Sequence, residues 1–150
     1  MPLDPSYVGR SFTRPGAYEL GREKIREFAD AIGDPHPAYR DAECARRLGY
    51  PDVIAPPTFP IVLTLDEAAP LADDPDFGLD WGAVVHREQR FAYTRPLRAG
   101  DRLVVTTTVA DIRVLAGNDV LTLRSEVATD AGDAVVTCET TLVARAAARD

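Results

Sequence analysis

The chain has 150 residues, of which 45% are apolar and 27% are charged, and its formal net charge is -7. This size suits one globular domain with a core of its own and is too small for two independent ones. The acidic balance argues against a surface for nucleic acid or for an anionic membrane, because such surfaces cluster Lys and Arg without acids among them.

The chain begins with MPLDPSYVGR, which lacks the basic and apolar regions of a secretory signal peptide. No apolar run elsewhere reaches the roughly 18 residues of a membrane-spanning helix. The sequence therefore predicts a cytoplasmic protein with no membrane partner. Residues 1–17 are rich in Pro and Gly and are expected to be irregular, and a short extended piece, Tyr18–Leu20, follows them.

An amphipathic helix is predicted in the segment REKIREFADAIG. Its apolar residues recur at the spacing of one helix face, and they are Ile25, Phe28, Ala29 and Ile32. Gly33 is expected to end this helix. The next segment, GDPHPAYRD, cannot continue it, because Pro35 and Pro37 lack amide hydrogens and favour extended geometry in the residue before them. We expect a rigid loop there.

Two further helices are predicted after this loop. Asp41 is a suitable N-cap for a short helix over 42–48, and Gly49 is its expected stop. Thr58 is the candidate N-cap of the next helix, FPIVLTLDEAAPLA, in which Pro60 is tolerated because it lies in the first turn. Since this run is apolar on nearly every face, we expect the helix to be buried.

From residue 83 onward the pattern alternates with a period of two, which is typical of β-strands. Four long strands are predicted, over residues 83–97, 102–115, 119–129 and 134–146. One face of the third, half-buried strand is formed by Leu121, Leu123, Ser125 and Val127. Short, turn-rich connections around Gly100, Gly117 and Gly132 predict that successive strands form hairpins.

A buried helix followed by a meander of long strands predicts an α+β hot-dog fold, in which a curved antiparallel sheet wraps around a long buried helix. We expect this single domain to span residues 1–150. Such a sheet leaves one edge strand unpaired, and the pairing of two such edges removes that liability. The sequence thus predicts a dimer, either of two copies of this chain or with a second hot-dog subunit.

Two stretches resemble the MaoC-type family of hydratases and dehydratases. FADAIGDPHPAYRD is similar to the family's signature, roughly Gly-Asp-x-Asn-Pro-aliphatic-His after a short helix. VVHREQRFAYTRPLRAGDRL is similar to the family's His-x-x-Gln-x-Phe pattern leading into Arg-Pro-x-x-x-Gly-Asp. With IAPPTF, they most resemble the N-terminal MaoC dehydratase domain and the acyl-binding subunits of actinobacterial heterodimeric (3R)-hydroxyacyl carrier-protein dehydratases.

The resemblance implies reversible removal of water from a 3-hydroxyacyl thioester of coenzyme A or acyl carrier protein, with no metal or cofactor. In the family a His acts as base, a neighbouring Asp orients it, and amide hydrogens at a helix N-terminus stabilise the thioester oxygen. The implied catalytic positions are Asp34, His36 and Tyr39. The implied substrate-binding positions are Pro57, Thr58, Phe59, His86 and Gln89.

The base and one amide donor depart from the family's pattern. The family's Asn is His36 here, and its catalytic His is Tyr39, a poor base whose ordinary pKa is about 10. Pro57 stands where active relatives have Gly and has no amide hydrogen to donate, although Thr58 and Phe59 each have one. The sequence therefore predicts an acyl-binding subunit with a degenerate catalytic motif, working in fatty acid biosynthesis as half of a hydro-lyase dimer.

Other functions stay open at this point. One is a stand-alone (R)-specific enoyl-CoA hydratase that uses Asp34 and His36, and another is a non-enzymatic module that binds acyl thioesters. Thioesterases share the hot-dog architecture, but they need a polar group near the buried helix, and Asp66 and Glu67 come late in that helix. The acyl length and the choice between coenzyme A and carrier protein are not fixed by the sequence.

Structural roles are open as well. Asp34 can serve as a turn residue, His36 as a loop-stabilising group, and His86 and Gln89 as ordinary cross-strand partners. The most basic stretch of this acidic chain suggests either a solvated strand face or a docking surface for an acidic carrier, and it contains Arg87, Arg90, Arg95 and Arg98. The two cysteines, Cys44 and Cys138, have no metal-binding spacing, and we expect both to be buried thiols.

Overall fold

A computed structural model describes residues 2–145 of the chain. The α-helices in this part are α1 (Arg22–Ala31), α2 (Ala42–Arg47), α3 (Ile61–Glu67) and α4 (Ala69–Ala72). The strands are β1 (Ser11–Thr13), β2 (Tyr18–Glu19), β3 (Val84–Tyr93), β4 (Arg102–Leu115), β5 (Asn118–Thr129) and β6 (Ala134–Ala144). No helix within residues 2–145 is long and apolar enough to cross a membrane.

All six strands form one antiparallel sheet with the order β1-β4-β5-β6-β3, and β2 pairs with β4 beside β1. The helices pack on one face of this curved sheet, which confirms the hot-dog fold. The predicted alternation in β5 is also confirmed, because Leu121, Leu123, Ser125 and Val127 are all buried. The predicted end of the last strand, residue 146, lies outside the described residues.

The connection between β3 and β4 is not the predicted hairpin. β3 ends at Tyr93, earlier than expected, and pairs with β6 at the far edge of the sheet. The chain then crosses the end of the sheet and pairs instead with the segment before α3: the Ala55 amide donates to the Leu97 carbonyl at 2.8 Å, and the Ala99 amide donates to Val53 at 3.0 Å. Leu97 is fully buried in this crossover.

An ion pair fixes the same crossover. The Arg95 guanidinium donates to both carboxylate oxygens of Asp101, at 2.8 and 3.0 Å, and Asp101 is buried. The Asp101 carboxylate also accepts the Arg98 amide at 2.9 Å. A buried, bidentate pair of this kind needs both partners, since either charge alone would be desolvated without compensation. The turn around Gly100 therefore ends a crossover and does not join two neighbouring strands.

The buried helix is shorter than predicted and is divided in two. Thr58 is not its N-cap, because α3 begins at Ile61 after a turn and no side chain caps its first amides. α3 ends at Glu67 and α4 starts at Ala69, with Pro70 at the start of α4. Proline has no amide hydrogen for the helix ladder, which explains the break. Burial is also one-sided, since Leu65 is 49% exposed.

Two hydrophobic clusters fill the space between helices and sheet. The first joins α1 and α3 to the middle of the sheet through Ile25, Phe59, Leu63, Leu103 and Cys138. The second lies beyond α3, where Leu71 and Phe77 pack on the sheet together with the N-terminal segment. The prediction of a buried thiol is right for Cys138, but Cys44 is only partly buried. Ile32, predicted on the buried face of α1, is 48% exposed because it caps the helix end.

Candidate functional site

The helix end before Asp34 fixes where this residue lies. The Gly33 amide donates to the Asp30 carbonyl at 3.1 Å, and the Asp34 amide donates to the Ala29 carbonyl at 2.9 Å. This is the Schellman arrangement, which needs a left-handed residue after the helix. Gly33 adopts it with φ of 71°. The predicted stop signal thus places Asp34 at a defined position beside the core.

In the loop that follows, side chains cap the backbone of the loop itself. The Asp34 carboxylate accepts the His36 amide at 3.1 Å, and the His36 ring nitrogen Nδ1 accepts the Ala38 amide at 3.1 Å. Arg40 ties the loop to α1 by donating to the His36 carbonyl at 3.2 Å and to Asp30 at 2.6 Å. These local bonds satisfy polar groups that two prolines would otherwise leave unpaired.

The cap that His36 makes restricts its chemistry. An imidazole whose Nδ1 lone pair accepts an amide hydrogen carries its own proton on Nε2 when it is neutral. No lone pair then remains to take a proton from a substrate. The ring is exposed and lies 5.6 Å from the Tyr39 ring, centroid to centroid. The geometry assigns His36 the role of a loop-stabilising residue.

Tyr39 turns inward from this loop. It is 9% exposed and belongs to the same buried cluster as Phe59 and Leu63. Burial raises the pKa of its phenol, and the nearby charge of Asp34 raises it further. The Tyr39 phenol is therefore a hydrogen-bond donor near neutral pH. Because Asp34 lies close to this buried ring, its carboxylate is at the edge of the apolar core.

Tyr93 is a member of this site that sequence reasoning missed. Its hydroxyl donates to the Pro57 carbonyl at 2.7 Å and so ties the end of β3 to the turn before α3. Burial, followed by the proximity of Cys138 and Tyr39, raises the pKa of this phenol, although 36% of the residue remains exposed. The alternation of side chains along β3 could have indicated Tyr93, because this residue lies on the same face of the strand as Gln89 and Phe91.

The turn before α3 offers fewer donors than predicted. Phe59 is fully buried, packs edge-on against Phe28 at 5.2 Å, and donates its amide to the Pro56 carbonyl at 2.9 Å. The expectation that Phe59 offers a free amide is therefore wrong. Thr58 is exposed, and no hydrogen bond within residues 2–145 uses its amide. The Thr58 amide therefore remains available as a hydrogen-bond donor in this turn.

His86 and Gln89 lie on β3, apart from the loop around Asp34. His86 is exposed, and its Nε2 lies 3.2 Å from the Glu88 carbonyl. Gln89 accepts a hydrogen bond from the Thr140 hydroxyl at 2.8 Å, which is ordinary cross-strand pairing. Its Nε2 atom is buried and has no partner within residues 2–145. The structure thus leaves one buried hydrogen-bond donor of Gln89 unsatisfied.

The predicted basic stretch is largely neutralised by nearby acids. Arg90 pairs with Glu88 at 2.8 Å, and Arg95 is held by the buried Asp101. Arg98 lies 4.0 Å from the same carboxylate. A docking surface for an acidic carrier needs cations that are free to pair, and in the described part of the chain only Arg87 of the four lacks an acidic partner. The stretch favours the structural interpretation.

Three cavities are formed by other parts of the molecule, and Asp34, His36 and Tyr39 line none of these three. In this single chain the loop thus presents a carboxylate and a phenol at the core edge, outside these three cavities. Burial also raises the pKa of the Cys138 thiol to about 12, so this thiol is no nucleophile at neutral pH. No group of three or more metal-binding side chains occurs within residues 2–145.

Comparison with known proteins identifies the family. The family model of the FAS1-like dehydratase domain region matches residues 6–138. The UPF0336 protein of Streptomyces avermitilis is 59% identical over 98% of this chain and 98% of its own length.

Solved structures agree with the family match. The C-terminally truncated HadBC complex of Mycobacterium tuberculosis, a (3R)-hydroxyacyl-ACP dehydratase, matches with a TM-score of 0.84 and 31% identity, over 95% of this chain and 99% of the matched one. A MaoC-like dehydratase matches with a TM-score of 0.88 and 33% identity, over 95% of this chain but 43% of that longer one. The chain belongs to the FAS1-like dehydratase domain family of MaoC-like hot-dog proteins, and this membership supports a hydratase or dehydratase role for it.

Proposed function

We propose that this chain is the acyl-chain-binding, largely non-catalytic subunit of a (3R)-hydroxyacyl-thioester dehydratase in fatty acid biosynthesis. The observation that carries the proposal is Tyr39 at the position of the family's base. Burial and Asp34 keep its phenol protonated near neutral pH, so it can donate a hydrogen bond but cannot take the C2 proton of the substrate. The proposal includes the cytoplasmic location that the sequence predicts.

The environment of His36 supports the same assignment. This residue is the nearest alternative base, but its Nδ1 is engaged by the Ala38 amide and its ring is exposed to water. A base for this reaction must lie within hydrogen-bond reach of the substrate and have a free lone pair. The stand-alone hydratase that would use Asp34 and His36 is therefore the weaker interpretation.

A second hot-dog subunit would supply the missing base. β3 is the outermost strand on its side of the sheet, so one of its edges has unpaired backbone groups. The buried Gln89 amide nitrogen on the same strand also lacks a partner within residues 2–145. HadBC, to which this chain is similar, is described as a complex. We infer that β3 pairs with a hot-dog chain that carries an intact Asp-x-Asn-Pro-x-His motif.

In this arrangement each subunit has a separate task. The partner removes the C2 proton and returns a proton to the departing hydroxyl group. This chain contributes the Thr58 amide, which can donate to the thioester oxygen, and the exposed Leu65 side chain of α3, an apolar surface that suits an acyl chain. The Tyr93 bond to the Pro57 carbonyl holds the turn that presents Thr58.

Hydration of crotonyl-coenzyme A tests the proposal. We expect no turnover above background by the purified chain alone, and turnover when it is purified together with a hot-dog partner that has the intact motif. Native mass spectrometry should show one copy of each chain in the active species. The partner alone serves as a control, since its own activity must be subtracted. Robust turnover by the isolated chain would refute the non-catalytic assignment.

A further inference from the structure

A buried acid lies at the C-terminal end of α3, far along the helix from the Asp34 loop. Glu67 is 4% exposed, and no hydrogen bond or ion pair within residues 2–145 involves its carboxyl group. Burial raises the pKa of this group; the nearby Arg14 opposes the shift, and Asp66 adds to it. Its oxygens are not among the buried side-chain atoms without a partner in the described residues, which are Thr64 Oγ1 and Gln89 Nε2, so the carboxyl group is open to the adjoining space and can bond a molecule there.

Glu67 faces open space. It lines a cavity of about 400 Å³ between α3, the first turn of α1 and the loop that joins β1 to β2. A second cavity, of about 290 Å³, shares Arg14, Pro15, Asp66 and Glu67 with the first. We name the larger space the Glu67 cavity. Glu67 thus lies where two cavities meet, under the loop that contains Arg14.

Part of the wall of the Glu67 cavity is apolar. It is formed by Val62, Leu63, Leu103 and Val105. The charged groups at the rim already have partners, because Arg14 lies 3.5 Å from Asp66 and Lys24 lies 3.1 Å from Glu27. These rim pairs are exposed, whereas Glu67 is not. The cavity therefore combines an apolar wall with one buried, hydrogen-bonding carboxyl group.

The chemistry of this lining selects among ligands. A hydroxyl group can accept a hydrogen bond from a protonated carboxyl group and can donate one to a carboxylate, so it satisfies Glu67 in either state. A plain alkyl end would leave the acid unpaired. A carboxylate end would be repelled by Glu67 and Asp66. An ammonium end would pair with an ionised Glu67 but not with a protonated one, and burial favours the protonated form.

We infer that the Glu67 cavity binds an uncharged aliphatic ligand that ends in a hydroxyl group, with its chain on the apolar wall and its hydroxyl at Glu67. This inference goes beyond the proposed function. The cavity contains no residue of the Asp34–Tyr39 loop, and ligand binding there requires neither turnover nor a second subunit.

Hexan-1-ol is a suitable probe, because its chain and hydroxyl group match the two parts of the cavity. We would titrate it into the full ¹⁵N-labelled chain and follow amide chemical shifts. Saturable shifts are expected at Gly16, Ala17 and Glu67, which line the cavity. Loss of a hydrogen bond to a buried acid predicts about tenfold weaker binding to Glu67→Leu. Glu67→Gln keeps a hydrogen-bonding group and should bind within about threefold of the unsubstituted chain.

Glu43→Leu is the matched control, since the Glu43 side chain is 71% exposed on α2 and lies outside the cavity. It should bind hexan-1-ol as the unsubstituted chain does. 1-Chloropentane and hexan-1-amine should both bind more weakly than hexan-1-ol. A cavity that holds only water gives no saturable shift and overturns the inference. Equal binding to Glu67→Leu, equally tight chloropentane, or a tighter amine would overturn it as well. None of these outcomes changes crotonyl-coenzyme A hydration, so the two proposals fail separately.

Discussion

Two regions differ in whether their polar side chains have hydrogen-bond partners within the chain. One is the loop from Gly33 to Asp41, and the other is the end of α3 around Glu67. In the loop, Asp34, His36 and Asp41 each accept a backbone amide from a residue two positions further on. At the end of α3, the buried Glu67 carboxyl group accepts nothing from residues 2–145. The loop is held by bonds among its own residues, whereas the Glu67 carboxyl group faces a cavity and can bond a ligand there.

The largest change in stability is expected when the Phe59 side chain is removed. Phe59 lies between the two regions in the chain. Phe59 is fully buried and packs edge-on against Phe28. We expect Phe59→Ala to lower the free energy of unfolding by about 3–5 kcal/mol, because it opens a cavity in the core. Urea unfolding at pH 7 measures this. Val114→Ala, at a position that is 69% exposed, should change stability by less than about 0.5 kcal/mol.

The second test concerns the unpaired acid itself. We expect Glu67→Leu to raise the free energy of unfolding at pH 7 by about 1–3 kcal/mol, since a buried group without a partner is replaced by an apolar one. Urea unfolding of both proteins measures the difference. An unchanged or lowered stability would mean that Glu67 has a partner in solution, and the contrast with the loop would disappear.

The pH dependence of the free energy of unfolding gives a sharper test of the burial of Glu67. Burial raises the pKa of Glu67 in the folded chain above its ordinary value of 4.5, so the folded state binds this proton more tightly than the unfolded state. Stability from this group is therefore present below pH 4.5 and is lost as the pH rises through the folded pKa. Relative to Glu67→Gln, the unsubstituted chain should lose stability over this window. Relative to Val114→Ala, which changes no titratable group, it should show no such slope.

A smaller effect is expected on the loop side of the comparison. The Asp41 carboxylate caps α2 by accepting the Glu43 amide at 2.9 Å and the Cys44 amide at 3.3 Å. We expect Asp41→Ala to lower the free energy of unfolding by about 1 kcal/mol, as the loss of an N-cap does. Urea unfolding measures the loss, and Asp41→Asn, which can still cap, should recover most of it.

The smallest effect is expected for catalysis after His36→Ala. If His36 only caps the short turn that follows it, then kcat/KM of the two-subunit enzyme should stay within about twofold of the unsubstituted enzyme. Hydration of crotonyl-coenzyme A by the complex measures this. A loss of activity by several orders of magnitude, with the fold intact by circular dichroism, would make His36 the base and restore the hydratase interpretation.

Local sequence signals determined much of this protein. The stop at Gly33, the cap at Asp41 and the alternation in β5 were all predicted from residues close together in the chain, and each depends on the geometry of a single element. The family resemblance likewise rests on short stretches of sequence, and the fold it implies is confirmed. The placement of Asp34 beside Tyr39 was likewise readable, because five positions of one loop separate them.

Tertiary structure decided the rest, because it depends on residues that the sequence keeps far apart. The pairing of β3 with β6 makes β3 an edge strand, and no local signal distinguishes that crossover from a hairpin. The hydrogen bond from the Tyr93 hydroxyl to the Pro57 carbonyl joins β3 to the turn before α3, two segments that are far apart in the sequence. Asp66 and Glu67 are adjacent acids late in the helix predicted to be buried, and only the packing of the chain makes Glu67 buried and Asp66 exposed. Burial is a property of the assembled chain, and so is the need for a partner that it creates.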